Sequence, residues 1–582
     1  MTPSKPTTSP WQPADSLLLA ALLALSSIWI ALKIHWSWTP MEDAAMLLRY
    51  SQNLAAGHGI RWSLNQAPID GATDFLYMVL TAAFSRLTHL DVITASRWVN
   101  ILAQTATVAM LYPAARRLGG SRWLSAAATL YLIAGPFINL TDACFGTPLF
   151  ALFLMLCWSA GLRYAFHRPN WPTAFAMALL GLIAGLTRPE GVLIAALIFI
   201  ATLYLANNDR VPHVSLLRHA FAGYLPLITS YILIFGILGG AYFAWHWHYF
   251  GYPLPNPFYI KGNGNLYPQS VKHSAMNVIT LLLPVLPLIP LGWLADATRR
   301  LTNALLLVLV PFTLMWLLLA NTNNHFFRFQ YAIVPLVLMT APALAGGLTT
   351  LGAPQPALSS SKGLAFETWV RGASLIQRTA FTLTPTLAIF AAMLYANRIT
   401  TYNYTAWGMR TFAQRLQPLA SRGYTMAVTE AGALPLYSQW NAIDAIGLND
   451  AYIAHHHQQL DDAYLDRTHP ELIMVHIDRN MPAEYLPGGL ATLPAHAGAL
   501  YNAEFLNFYA STHGYTLAAA WGADQCNLHL YWLHPNFPDY ATVLSDIRDH
   551  PYVFLDDAFL SHDYRNDMDS IHPCAVPDGP PQ

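Results

Sequence analysis

The sequence predicts a mostly α-helical, polytopic membrane protein that ends in a smaller soluble α/β domain. Three observations predict it. Charged residues make up 10% of the 582 positions against 54% hydrophobic, with a mean hydropathy of +0.34, whereas soluble domains run near ~25% charged. Uncharged apolar runs close to the ~20 residues that cross a bilayer recur through the first 400 residues. The composition then changes, because residues 401–582 hold 20 acids against 7 arginines and no lysine, while residues 1–400 hold 11 acids and 23 bases. This balance excludes a disordered chain and a conventional soluble enzyme. A net charge of -1 offers no field for nucleic acid. Two bodies are expected: a membrane domain over 1–400 and an extracytoplasmic domain over 401–582.

About eleven spans are expected, near Ser16–His35, Ile93–Ala115, Trp123–Leu140, Pro148–Gly161, Pro172–Thr187, Pro189–Ala206, Phe221–Trp245, Met276–Ala295, Leu301–Ala320, Phe329–Gly347 and Thr379–Tyr395. The first has no small-residue cleavage pattern and reads as a retained anchor. Asp74–Leu90 is apolar enough to cross, but Arg86 and His89 interrupt its end. If it stays on one side, Arg116, Arg117, Arg122, Arg163, Arg168, Arg210, Arg218, Arg299, Arg300, Lys362, Arg371 and Arg378 all face the cytoplasm, as the positive-inside rule requires. It is therefore placed as an interfacial helix. The N-terminus is then inside and the acidic tail outside.

That sidedness puts Glu42, Asp43, Asp70, Asp74, Asp91, Asp142 and Glu190 on the outer face. Carboxylates are costly near lipid and mark function there. The first outer loop, residues 36–92, opens on M-E-D-A-A-M-L-L-R-Y-S-Q-N-L-A-A-G-H-G. Leu47, Tyr50, Ser51 and Leu54 share one helical face. Asp43 sits at the start of that helix, either as an N-cap or as a functional carboxylate at the membrane–water boundary, and Gly57 is its stop.

The run from Asp43 to Trp62, followed by I-D-G-A-T-D-F-L-Y from Ile69, resembles the first-loop signature of bacterial GT-C glycosyltransferases that use polyprenyl-phosphate sugars. The branch it is most similar to is the terminal arabinofuranosyltransferase-like family. Further blocks follow in order: G-L-T-R-P-E-G at 185–191, P-N-P-F-Y-I-K at 255–261, R-F-Q-Y-A-I-V-P at 328–335, and E-A-G-A-L-P-L-Y-S with I-D-A-I-G-L-N-D across 430–450. The chain departs from the family in opening its loop with Glu42-Asp43 rather than two aspartates. It also carries Gly146, with Asp142 upstream, where the family often has an acid before T-P-L-F.

The resemblance implies a membrane enzyme with a GT-C-like fold in the bacterial cytoplasmic membrane. Its partners would be the bilayer, a polyprenyl-phosphate sugar donor and a glycan or lipid acceptor. It implies Asp43 as general base, with Glu42 as a neighbouring carboxylate able to share the role. Such chemistry needs a base for the acceptor hydroxyl and cations for a phosphate that gains charge as it leaves. Arg188 and Arg328 either offer guanidinium forks for that phosphate or serve as interfacial anchors, Arg188 in a local pair with Glu190. Lys261 lies in a Pro- and Gly-broken loop with the character of a lid, where Asn256 and Tyr259 offer hydrogen bonds to a sugar. Asp70 completes the outer-face candidates. A transporter or flippase is the competing class, but the spans carry almost no ionisable groups near their middles. A non-catalytic binder of lipid-linked glycan is the third.

In the tail, Tyr424–Val428, Ala442–Ile446, Leu472–Ile477 and Leu528–Leu533 read as strands with helical stretches between them. The absence of G-x-G-x-x-G after a strand argues against a nucleotide site. The 430–450 block is either a structural turn and strand or an acceptor-binding segment. No cofactor is expected. A divalent metal stays open, although His246, His248, His325 and His455–His457 lack any specific ligand spacing. Cys526 and Cys574 are a possible disulfide pair, and Cys144 and Cys157 read as packing residues.

Overall fold

The computed structural model describes residues 11–166, 169–206, 216–261, 266–293, 296–319, 324–351, 409–456, 459–478, 498–524 and 527–549. Its first part is helical. In chain order the helices are α1 Pro13–Lys33, α2 Glu42–Ala55, α3 Phe75–Thr88, α4 Val92–Arg117, α5 Arg122–Ala134, α6 Phe137–Asp142, α7 Thr147–Phe166, α8 Trp171–Thr187, α9 Glu190–Ala206, α10 Leu216–Leu233, α11 Gly240–Phe250, α12 Asn256–Lys261, α13 Pro268–Leu282, α14 Leu288–Leu291, α15 Asp296–Leu314, α16 Arg328–Tyr331 and α17 Val334–Leu351. A π-helical turn, Ile234–Gly239, joins α10 to α11.

Each expected span up to residue 351 falls on one or two of these helices, and Thr379–Tyr395 lies outside the described residues. Among those residues, five helices are long and apolar enough to cross a membrane, or up to seven if each of two bent pairs is one span. Length and composition alone therefore do not reach eleven. Part of the difference has a clear cause. The expected span Met276–Ala295 stops as a regular helix at Leu282, because Pro284, Pro287 and Pro290 remove successive backbone donors. Helices α8 and α9 are apolar but have only 17 residues each.

Helix α3 meets α4 at a bend of 111°, the geometry of a broken span or a re-entrant turn. At its start, Asp74 pairs with Arg188 at 3.0 Å. Just inside, the Tyr77 hydroxyl donates to the carbonyls of Ser96 and Cys144. Ser96 lies in the first turns of α4, next to Arg97, which donates to the carbonyls of Trp36, Trp38 and Asp142. At the opposite end of the bundle, buried Asp15 gathers Arg116 at 2.9 Å, Arg122 at 3.3 Å and the Tyr112 hydroxyl at 2.7 Å. The groups assigned to one side of the membrane thus share one end of the bundle, and the basic cluster sits at the other with the start of α1.

The tail forms a five-stranded sheet in the order β2-β1-β3-β5-β4, where β1 is Thr425–Val428, β2 Asn441–Asp444, β3 Leu472–Asp478, β4 Thr516–Asp524 and β5 Asn527–Leu533. Strands β2, β1 and β3 run parallel, and β5 is antiparallel to both β3 and β4. Four strands coincide with those expected. The fifth, β4, reads T-L-A-A-A-W-G-A-D, whose alanines favour helix; hairpin pairing with β5 overrides that propensity.

The two faces of the sheet differ. Ala427, Ile443, Ile473, Val475 and Leu530 pack under the tail's own helices. Met426, Val428, Met474, Tyr531 and Leu533 pack into one core with Tyr50, Trp62 and Met78 of the first loop. The first loop and the tail are therefore built around a shared apolar layer. Cys144 and Cys157 are buried free thiols, while Cys526 and Cys574 lie outside the described residues.

Candidate active site

Helix α2 carries the central carboxylate. Its N-cap is Met41, so Asp43 is the second helical residue and not the cap. Its side chain is free to act elsewhere, and it accepts a hydrogen bond from Arg328 Nη2 at 2.5 Å. Arg328 follows a strained turn in which Phe326 and Phe327 both adopt left-handed φ, 55° and 58°. Such backbone persists only where the surroundings fix it. The guanidinium lies 4.4 Å from the Phe145 ring centroid and 4.8 Å from that of Phe329. This aromatic pair shields the cation and leaves its hydrogen-bonding edge toward Asp43. The Arg328 side chain is 9% exposed and that of Asp43 27%. The carboxylate is thus the accessible member of the pair.

Burial works against a charge on Asp43. Arg328, Lys261 and His325 outweigh it and hold the carboxyl below the usual carboxylate range. Exposed Lys261 lies in α12 and acts on Asp43 across the site. Burial and the Arg328 charge push His325 down, and the Asp43 charge offsets part of that.

Arg188 donates to Glu190 at 2.6 Å, the local pair that was one of its two expected readings, and to Asp74 at 3.0 Å. It also lies 5.7 Å from the Phe329 centroid, so one ring touches both guanidinium groups. One cation against two carboxylates leaves no positive surplus there. Arg328 pairs with Asp43, and Lys261 feels the charges of both Asp43 and Asp444.

The second acid of this region is Asp74, which the sequence did not single out as a site residue. A Cβ at Gly146 would come 2.8 Å from an Asp74 carboxylate oxygen and 2.7 Å from the Tyr77 ring. Asp74 therefore occupies the space that an acid at position 146 would need. Its carboxyl is raised by burial and partly restored by Arg188. The signal was present in the D-G-A-T-D run, but nothing in the sequence paired it with Gly146.

Other expected residues join the first loop or α12 to the tail, or the first loop to α11. Glu42 points away from Asp43 and accepts hydrogen bonds from the backbone N–H groups of Gly432 at 2.5 Å and Ala433 at 3.0 Å. Gly432 is required there, since a Cβ would lie 2.2 Å from the Glu42 carbonyl oxygen. Asn256, expected on a sugar, donates to the carbonyls of Gly447, Leu448 and Asp450. Tyr259 packs its ring on His455, which stacks on Tyr252. Asp70 is buried on His246 Nε2 at 2.7 Å; burial raises its carboxyl and the imidazole offsets part of that. The 430–450 block is a clasp: the Tyr50 hydroxyl donates to Asn449, while Gln66 and the Tyr464 hydroxyl donate to Asp450.

This clasp makes a stability prediction. Gly432→Ala forces Glu42 off its two donors and should cost about 2–4 kcal/mol, as charge-assisted hydrogen bonds contribute roughly 1.5–3 kcal/mol. Glu42→Gln keeps one acceptor oxygen and should cost less. Thermal unfolding of both variants checks the order. A Gly432→Ala protein as stable as the parent would remove the clasp.

Residues 397–544 match a family described as a domain of unknown function (DUF8728), which covers most of the tail. No curated protein matches the chain. Among solved structures, ArnT from Cupriavidus metallidurans bound to undecaprenyl phosphate is similar at a TM-score of 0.53 and 15% identity, over 89% of this chain and 97% of that one. The oligosaccharyltransferase AglB from Archaeoglobus fulgidus, in complex with an inhibitory peptide and a dolichol-phosphate, is similar at 0.50 and 9% identity, over 90% of this chain and 75% of that one. The mycobacterial arabinofuranosyltransferase AftD overlaps at 0.46, too low to bear on the fold. The first two likenesses establish the fold, which this chain shares with those two proteins.

Proposed function

We propose that the protein is a membrane glycosyltransferase that moves a sugar from a polyprenyl-phosphate donor to a glycan or lipid acceptor at the outer face of the bacterial cytoplasmic membrane. The observation that carries this reading is the Asp43–Arg328 pair, a partly exposed carboxylate against a shielded guanidinium on a GT-C fold. Arg328 and Lys261 bind the donor phosphate. As Arg328 turns toward the phosphate, Asp43 loses part of its countercharge and its proton affinity rises, which suits a base. Asp43 then takes the proton of the acceptor hydroxyl. The acceptor oxygen bonds to the anomeric carbon as the bond from that carbon to the phosphate oxygen breaks. The leaving polyprenyl phosphate keeps the electron pair, and the two cations stabilise its added charge. Arg188, balanced by Asp74 and Glu190, positions Phe329 and through it Arg328. Transfer of sugar from a synthetic polyprenyl-phosphate donor by the purified protein tests the reading; donor binding without transfer to any cell-envelope acceptor would favour a non-catalytic binder.

The outer placement makes its own prediction. In intact cells a cysteine at exposed His89 should react with an impermeant thiol reagent, and one at Ser121 should not. Labelling at Ser121 alone would put the site on the cytoplasmic side.

A further inference from the structure

The layer of the tail sheet that packs against the first loop is apolar at Met426, Val428, Met474 and Tyr531, carries buried Asp444 of β2 beside Val428, and holds one polar cluster further along β1, β3 and β5. Val428 of β1 is in register with Met474 of β3, so Glu430, two residues on, comes level with His476. His476 is in turn the direct cross-strand partner of His529 on β5. Alternation along a strand then sends all three side chains to one face, the face whose neighbours are Met426, Val428, Met474 and Tyr531. The ladder itself assembles the cluster.

The ligand atoms of Glu430, His476 and His529 all lie within 4.8 Å of one another. His476 Nδ1 is 2.8 Å from one carboxylate oxygen of Glu430, and His529 Nε2 is 3.4 Å from the other. The second distance is beyond the usual N–H···O range of about 2.7–3.2 Å. It equals the spacing of about 3.4 Å that zinc bonds of roughly 2.0–2.1 Å impose on tetrahedral ligands. The His529 side chain is fully buried, and those of Glu430 and His476 are 18% and 27% exposed.

We propose that Glu430, His476 and His529 bind one divalent transition cation of the Zn²⁺ class. Two imidazoles and one carboxylate are a ligand set for such an ion, and three protein ligands leave a fourth position for water or another donor. A polar trio inside an apolar layer is costly unless its groups are satisfied together, and a shared cation does that. The site ties β1, β3 and β5 at the point where the chain turns into Gly432 and Ala433, the two donors that clasp Glu42. Occupancy would therefore stiffen the contact that holds α2 against the tail. The signal in the sequence was a single histidine within each of two otherwise apolar strand patterns, H-I-D and H-L-Y-W.

The test uses the untagged full-length chain in detergent, first purified without chelator for its metal content, then stripped and titrated with Co²⁺. One Co²⁺ per chain is expected, with visible bands of low coordination number that Zn²⁺ displaces. His476→Gln and His529→Gln should each weaken Co²⁺ at least about a hundredfold, since even outer-shell changes cost 10–100-fold. Exposed His513→Gln should leave binding unchanged. Stripping should lower the unfolding temperature of the parent protein, and Zn²⁺ should restore it. The proposal is overturned if stripped parent protein gives neither bands nor a Zn²⁺-dependent unfolding shift. It is equally overturned if the histidine double variant folds and gives the same Co²⁺ spectrum.

Discussion

Asp43→Asn should leave the protein folded and able to bind a polyprenyl-phosphate donor, yet slow sugar transfer by about 10²–10⁴, the usual worth of a positioned general base. The substitution is nearly isosteric and keeps one oxygen for Arg328. Asp43 is not the cap of its helix, because Met41 holds that place, so no capping bond is lost. Neither can a neighbour take over. The Glu42 carboxylate is held by the N–H groups of Gly432 and Ala433, and Asp74 is engaged by Arg188. The pH dependence carries the same information. Arg328 keeps the Asp43 carboxyl below its usual range despite burial, so its ion pair contributes stability above the unfolded-state value of about 3.9 and loses it as the pH falls through the folded value. The acid limb of kcat/KM, which reports the free protein, should accordingly lie below about pH 4. Single-turnover transfer with saturating donor is the measurement. An Asp43→Asn variant with parental transfer rates would move the base elsewhere and leave a lipid-binding role in front.

The helices were legible because a bilayer imposes a length and a polarity that a sequence must display. The site was legible only in part. Asp43 and Arg328 stood out as charges on an outer face where charges are scarce, and the structure pairs them across 285 residues of chain. Glu42 and Asp70 stood out for the same reason, and Asn256 as a hydrogen-bonding side chain in a lid-like loop, but their partners are backbone groups of the tail or a buried histidine. A polar side chain in such a loop serves docking or chemistry equally well, and only the partner distinguishes them. The exchange of Gly146 for Asp74 was illegible because it depends on the 111° bend that folds α3 back over the start of α4. The tail cluster was hidden for a related reason. Its three residues are separated by 46 and 53 positions and become neighbours only through strand register.

Arg328→Ala should lower transfer by about 10²–10³, the cost of removing one donor from a developing oxyanion, with a weaker loss in donor binding. Two effects act together and have separate signatures. The leaving phosphate loses a bidentate partner, which lowers turnover and is only partly restored by Arg328→Lys, because an ammonium lacks the planar fork. Asp43 loses its principal countercharge, so burial now governs its carboxyl and the acid limb of the pH profile should move upward, toward neutral pH. Arg188→Ala should do neither to the same degree. Its guanidinium is committed to Asp74 and Glu190, so its loss should act through the packing of Phe329 and through two carboxylates left without their cation. If Arg328 served only to neutralise Asp43, the double variant Arg328→Ala with Asp43→Asn would be no worse than Asp43→Asn alone. A further loss in the double variant, with donor binding weakened, places the phosphate on Arg328. Turnover by Arg328→Ala equal to the parent, with the acid limb unmoved, would remove Arg328 from the site and make Lys261 the phosphate ligand.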